Sequence, residues 1–395
     1  MFYRNPLELP FFDDTHRNLH QRLHDWAQAN LPSRVHHGDV DVLCRERVAQ
    51  LAAGGWLRYC VPAQYGGALE KLDSRSLCLL RQGLSFYDGL ADFSFAMQGL
   101  GSGAITLFGN DALRARYLPG VADGTLIAAF ALSEPDAGSD AAAMTTTARR
   151  VGDTYILDGS KTWISNAGLA DFYCVFAKVQ GEEPEKVTAF VVDAQTPGFS
   201  VSERIDVCAP HPLGTLTFKE CVIPVSQRLG DTGAGFKVAM QTLDVFRASV
   251  GAAALGMAEA AAEAAASYAE QRQMFGATLA DLQLTQAAIG DMATDIDAAT
   301  LLVYRAAWER DRFDRPTTRS AAMAKLFSTE AAQRIVDASV QLHGARGVRV
   351  GEAVESLYRE VRALRIYEGA TEIQKIVIAR EVAKARKAAA AHGSP

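Results

Sequence analysis

Several chemistries are excluded by what the sequence does not contain. Its six cysteines (Cys44, Cys60, Cys78, Cys174, Cys208, Cys221) are scattered with no paired spacing. That rules against a disulfide framework and predicts buried or free thiols in a reducing compartment, hence a cytoplasmic location. Met1–Pro10 carries charges and two prolines but no apolar core, so no secretory leader is expected. No apolar run reads as long enough to span a membrane. There is no cationic excess: 40 Lys and Arg face 46 Asp and Glu, for a net charge of −6. Nucleic acid is therefore not expected as a partner.

Familiar catalytic signatures are missing too. There is no GxSxG and no HExxH. Gly101-Ser-Gly103 lacks the third glycine and the preceding strand of a dinucleotide fingerprint. The Gly230–Gly235 loop with Lys237 has the wrong spacing for a phosphate loop. His16, His20 and His24 lie four apart without an acidic or cysteine ligand beside them, which reads as a solvated helix face rather than a metal site.

What the chain has is length and apolar content. Its 395 residues, 49% of them hydrophobic, suffice for two or three domains. Residues 1–128 read as helical, over Asp13–Asn30, Asp41–Ala53, Asp73–Phe86 and Arg114–Ala122, the last interrupted by Pro119-Gly120. From 129 to 234 short β-rich runs alternate with turns: Thr145–Val151, Thr154–Leu157, Phe172–Lys178, Val187–Val192 and Leu216–Phe218. They suggest a compact antiparallel sandwich or barrel. Residues 235–395 are alanine-rich, with helices expected at about 236–269, 279–312, 317–342 and 352–387 and a frayed tail over Ala388–Pro395. The expected architecture is thus α+β and multidomain: an N-terminal helical domain, a middle antiparallel β domain and a C-terminal four-helix bundle.

Five strings carry the chemistry. In Arg365-Ile-Tyr-Glu-Gly-Ala-Thr-Glu-Ile-Gln374, Glu368 follows an apolar pair and precedes Gly369. Poor solvation raises a carboxyl's pKa and makes it a better base near neutrality, but on these ten residues alone a surface glutamate before a C-terminal helix is the stronger reading. In Leu132-Ser-Glu-Pro-Asp-Ala-Gly-Ser-Asp140, Ser133 and Ser139 can hydrogen-bond a polar ring edge or a phosphate, and Gly138 frees backbone N–H groups. Lys161-Thr-Trp-Ile-Ser-Asn166 offers the flat face of Trp163 beside Ser165; a core tryptophan next to a turn is the other reading. Gln271-Arg-Gln-Met-Phe-Gly276 provides Arg272 for phosphate and Phe275 for a ring. Gln341-Leu-His-Gly-Ala-Arg-Gly347 ends the third long helix.

In this order and at these separations, the strings resemble those of the acyl-CoA dehydrogenases, over residues 50 to 385. The resemblance implies a homotetrameric flavoenzyme with FAD between the β domain and the bundle. It places Phe130, Leu132 and Ser133 at the flavin's pyrimidine edge and Trp163 and Ser165 at its ring. Gly138 belongs to the same cofactor string. Arg272, Phe275, Gln341 and Gly344 would hold the adenosine and pyrophosphate of FAD bound mainly to a neighbouring subunit, and Thr371 and Glu372 would complete the flavin site. On the substrate side it implies Ser139 at the pantetheine arm, Arg380 at CoA, and Asp244, Arg247, Tyr367 and Gly369 near the acyl group. The implied reaction is α,β-dehydrogenation of an acyl-CoA to a trans-2-enoyl-CoA. Glu368 would take the α-proton, FAD the hydride, and an electron-transfer flavoprotein the electrons.

Some branches of the family carry the base on the first bundle helix, where this chain has Phe246, so Glu368 is the expected base and Asp244 a structural partner of Arg247. Two departures stand out. Ala209-Pro-His-Pro-Leu213 replaces a common Arg-x-Ser-x-Thr segment, which puts CoA contacts there in doubt and makes His211 the candidate substitute. Ala345 replaces a frequent glycine. The alternatives on the same fold are an acyl-CoA oxidase, a flavin monooxygenase, and a flavoprotein or acyl-CoA-binding scaffold without turnover.

Overall fold

The computed structural model describes residues 6–31, 34, 38–181, 186–313 and 316–391. In chain order the elements are α1 (Asp14–Asn30), α2 (Val40–Ala53), α3 (Ser74–Tyr87), α4 (Gly89–Phe108), α5 (Asp111–Asp123), β1 (Ala128–Ala131), β2 (Thr147–Val151), β3 (Thr154–Ser165), β4 (Phe172–Val179), β5 (Lys186–Asp193), β6 (Phe199–Ile205), β7 (Leu213–Pro224) and β8 (Arg228–Leu229). They continue with α6 (Gly235–Gln271), β9 (Gln273–Met274), β10 (Ala277–Thr278), α7 (Gln283–Phe313), α8 (Thr318–His343), α9 (Ala353–Leu364) and α10 (Thr371–Ala391). The α, β, α order matches the reading of the sequence. By contacts the chain forms two compact units, and its N-terminal helical region contributes to both. One holds Met1–His36, Ser74–Asp92 and Asp244–Pro395; the other holds His37–Asp73 and Phe93–Leu243.

In the helical unit, α8 packs against α7, α9 and α10, and α3 against α1 and α7. Small residues let backbones meet. A Cβ on Gly256 would lie 2.1 Å from the Gln82 carbonyl, so α6 can approach α3 this closely only through glycine. The helix expected over 352–387 is in fact two, α9 and α10, separated by residues 365–370. The break falls at Glu368 and Gly369, which both have positive φ and cannot continue a right-handed helix. Of the tail expected to fray over Ala388–Pro395, α10 takes in residues to Ala391, and 392–395 lie outside the described residues. His16 departs from expectation as well. It is buried, and its Nδ1 sits 2.7 Å from the Asp13 carboxylate in a capping box at the start of α1, so only His24 of the three lies on an exposed face.

In the sheet unit eight strands form one sheet in the order β6-β7-β3-β2-β4-β5-β8, with β1 added alongside β4. Most pairs are antiparallel, but β1–β4 and β2–β4 are parallel, a mixture that alternating strand patterns do not reveal. β4 is buried along nearly its whole length. Helix α4 was not among the expected helices, and it carries Gly99, Gly101 and Gly103 inside it. Gly101 is there for contact: a Cβ would meet Ala128 at 2.6 Å. Helix α5 runs through Pro119 rather than stopping there.

Of the six cysteines only Cys208 is exposed; the other five are buried. No metal-binding cluster occurs among the described residues. One described helix, α6, is long and apolar enough by length and composition to cross a membrane, which corrects the expectation that no run is; 94% of that window is buried inside the protein.

Candidate active site

The loop between α9 and α10 is pinned from several directions. Glu330 on α8 accepts from Arg365 Nε at 2.8 Å and from Thr371 Oγ1 at 2.5 Å, which fastens both ends of the loop. At its tip Glu368 has φ +52° and Gly369 φ +95°. A left-handed glutamate costs energy that its surroundings must supply. Here the Gly369 carbonyl accepts from Lys325 Nζ at 2.6 Å and from Gln374 Nε2 at 2.9 Å. The positive φ favours glycine, and a Cβ at 369 would sit 2.4 Å from that same Gln374 nitrogen, so a larger residue would have to push the Gln374 amide aside.

The Glu368 carboxyl is half-buried, and its Oε2 is buried without a hydrogen-bond partner among the described residues. Burial pushes its pKa up; the charges of Arg81, Lys325 and Arg247 oppose this, and Asp92 adds to it. The net displacement is upward, as a base working near neutrality needs. An unpartnered, desolvated carboxyl oxygen with three cations around it is the arrangement a general base requires.

Each cation is itself fixed. Arg81 donates to both carboxylate oxygens of Asp92 at 2.9 Å and to Ser249 Oγ at 3.2 Å. Arg247 donates to Asp244 at 2.5 Å, and Asp244 also accepts from Thr318 Oγ1 at 2.9 Å. Asp244 therefore partners Arg247, as the sequence suggested. Phe246 is buried beside it. Burial raises the Tyr367 phenol's pKa, so it stays neutral at physiological pH.

In the sheet unit the two strings expected at a flavin do come together. Thr162 N donates to Ser133 O at 3.0 Å, and Lys161 Nζ donates to Leu132 O at 3.1 Å and to Glu134 at 2.8 Å. Burial raises the Glu134 carboxyl's pKa, but Lys161 and donors from Thr145 and Thr146 outweigh this and bring it down to about 2. This staple is buried under Leu132 and Ser133. Beyond it, the β3–β7 register shifts between Lys161 and Ile164, and Trp163 in that bulge has φ +59°. A bulge re-aims a side chain, and the Trp163 ring is 59% exposed. Ser165 and Phe130 are half-buried, and Phe130 rests on Phe176 at 5.0 Å between centroids. Gly138 and Ser139 are exposed, with open space where a Gly138 Cβ would be. An outward indole flanked by hydroxyls and backbone donors fits a planar heteroaromatic ring with polar edges, such as the FAD isoalloxazine.

A second exposed group lies where α6 and α8 end. Tyr268 and His343 stack at 4.5 Å and hold the two helix ends together. Arg272, Gln341 and Gly344 are exposed there. Phe275, φ +52°, projects from the β9–β10 turn and is 89% exposed. This set fits phosphates and an aromatic base. Glu372 and Arg380 are exposed on α10. Two residues have partners that the sequence did not suggest. Thr371, named for the flavin, spends its hydroxyl on Glu330 and is buried. His211 is half-buried and stacks on Phe93 at 4.3 Å, a packing role the sequence did not suggest.

The sequence reading missed Arg81, Asp92, Ser249, Lys325 and Gln374. A signal existed for two of them. Arg81 and Lys325 are single charges in apolar helical runs, Leu77–Leu84 and Ala321–Phe327, where an unpaired charge would be costly.

Models of the acyl-CoA dehydrogenase N-terminal, middle and C-terminal domains match residues 13–125, 129–221 and 233–383. The chain is 37% identical over 380 residues to the mitochondrial short-chain specific acyl-CoA dehydrogenase of Rattus norvegicus, covering 94% of this chain and 90% of that protein. It is 36% identical over 379 residues to the 3-(aryl)acrylate reductase of Clostridium sporogenes, covering 95% and 100%. Among solved structures, an acyl-CoA dehydrogenase complexed with FAD from Bacillus anthracis matches with a TM-score of 0.85 at 31% identity, covering 95% of this chain and 68% of that one.

Proposed function

The chain belongs to the acyl-CoA dehydrogenase family of FAD-dependent oxidoreductases, and on that footing we propose that it oxidises the α,β bond of an acyl-CoA thioester with Glu368 as the base. The observation that carries this is the unpaired, buried Glu368 oxygen at the tip of a pinned left-handed turn. When bound, FAD supplies the acceptor for the β-hydride, which no side chain can provide. The protein's part is the α-proton. That proton is weakly acidic, so its removal needs a positioned base and a donor for the developing enolate oxygen. Glu368 Oε2 is the base, and the Glu368 backbone N–H is the proposed donor to the thioester carbonyl. Arg247, held by Asp244, adds positive charge near the negative charge that develops. We further propose that Trp163, Ser165 and Ser133 of the sheet unit hold the flavin ring, and that electrons leave to an electron-transfer flavoprotein.

The test is anaerobic titration of the purified flavoprotein with acyl-CoAs from butyryl to palmitoyl, following flavin absorbance. Short chains come first, because short-chain substrates are named for the 37% identical relative. Bleaching is expected. Binding without bleaching by any of them would count against dehydrogenation of straight-chain acyl-CoAs. The kinship with a 3-(aryl)acrylate reductase favours assaying the opposite direction as well. There the same carboxyl, protonated, would return a proton to the α-carbon of an unsaturated acyl group.

A further inference from the structure

We propose that Lys325 is a positioning residue for the base: with Gln374 it clamps the Gly369 carbonyl, holds the Glu368–Gly369 turn left-handed, and fixes where the Glu368 carboxyl points. This rests on the reading of Glu368 as base. Lys325 is fully buried in the N-terminal third of α8. Among the described residues its ammonium makes one hydrogen bond, the 2.6 Å contact to Gly369 O. A lysine is an expensive way to satisfy a single carbonyl, since burying an ammonium costs far more than one hydrogen bond returns. Part of that cost is returned by a carboxylate, and the first one facing it is Glu368, though burial still outweighs it.

The neighbours support the same division of labour. Glu368 and Lys325 are faced by Arg81 from α3, Asp92 from α4, Arg247 from α6, Glu330 from α8 and Glu372 from α10. Arg81 is committed to Asp92, Arg247 to Asp244, and Glu330 to Arg365 and Thr371. Lys325 donates to the backbone of the turn that carries Glu368, whereas Arg81 reaches the loop only through the Tyr367 side chain. Burial lowers its pKa to about 8, with Glu368 opposing, so it still carries its proton at neutrality. Gln374 supplies the second donor to the same oxygen and reaches Glu368 O at 3.4 Å. The two residues therefore differ usefully: Lys325 provides geometry and charge, whereas Gln374 provides geometry alone.

The test compares Lys325→Met and Gln374→Met as flavin-loaded proteins, using butyryl-CoA as the reductant. For both, anaerobic flavin reduction should slow by about tenfold or more, the scale of a misplaced reacting group, while butyryl-CoA affinity changes less than about threefold. Only Lys325→Met should also move the acid limb of the pH–rate profile to higher pH, because losing a cation raises the Glu368 pKa. An infrared titration, with Glu368 read as the carboxyl band absent from Glu368→Gln, should show the same upward move in Lys325→Met and none in Gln374→Met. A Lys325→Met enzyme with wild-type rate and an unmoved titration overturns the proposal. If Lys325→Met does not accumulate folded, wild-type reduction by Gln374→Met overturns the clamp. If Glu368→Gln itself reduces flavin normally, the base reading fails. The infrared titration needs no turnover and still decides whether Lys325 sets the Glu368 carboxyl.

Discussion

Replacing Arg81 by methionine tests whether the charges around Glu368 form one balanced set. The guanidinium is 3% exposed and its partner Asp92 4% exposed, joined by two parallel contacts of 2.9 Å. Removing one member of such a buried pair typically costs about 3–5 kcal/mol, because the other charge is left uncompensated. Burial already raises the Asp92 pKa, and Arg81 is the main opposing influence. Without Arg81, Asp92 should take up a proton. A carboxyl whose folded pKa is raised contributes stability below its unfolded pKa and loses it as pH rises, so Arg81→Met should be less damaging at pH 5 than at pH 8. Thermal unfolding, followed by tryptophan and flavin fluorescence at both pH values, reads this. The control is the double variant Arg81→Met/Asp92→Leu, which removes both charges and should unfold at a higher temperature than Arg81→Met alone. If the double variant loses the sum of the two single losses, the pair is not coupled and the electrostatic account of this site is wrong.

Two further outcomes follow from the loop. Gly369→Ala should abolish turnover and destabilise by about 1–3 kcal/mol through backbone strain alone, since φ is +95° and the new methyl would lie 2.4 Å from Gln374 Nε2; urea unfolding and flavin-reduction rates check both. Glu368→Gln should unfold at a higher temperature than wild type at pH 7–8, with the gap closing as pH falls through the unfolded carboxyl range. The sign follows because Glu368's raised pKa makes its ionisation cost stability above that range, and an equal gap at pH 4 and pH 8 would contradict it.

Much of this was legible in the chain itself. The α, β, α order follows from composition, because alanine-rich helices and β-branched runs differ in period and content. Glu368 stood out as a carboxyl beside apolar neighbours and Gly369, but only the resemblance of the five strings pointed to it as the base. The Asp244–Arg247 pair was legible from its i, i+3 spacing. What was not legible depends on tertiary contact. Helix α4 was not expected, and the reason it holds Gly101, close contact with Ala128 of β1, appears only in the fold. The break in the last helix is visible only as positive φ at 368 and 369. Lys325 and Gln374 act on a carbonyl 44 and 5 residues away in sequence, and no local pattern encodes that pairing. His211 on Phe93 is likewise a long-range stack, and a loop reading could assign it only by analogy.

The central claim, that Glu368 is the base, is tested most directly by stopped-flow reduction of Glu368→Gln under anaerobic conditions with its best acyl-CoA. The amide keeps the shape of the side chain while removing the proton acceptor, so flavin content and acyl-CoA affinity should survive. The reduction rate should fall by at least about 10²–10⁴-fold, the usual contribution of a positioned base. Asp244→Asn should slow the same step less, because Asp244 acts only through Arg247. Flavin reduction by Glu368→Gln at close to the wild-type rate would contradict the account.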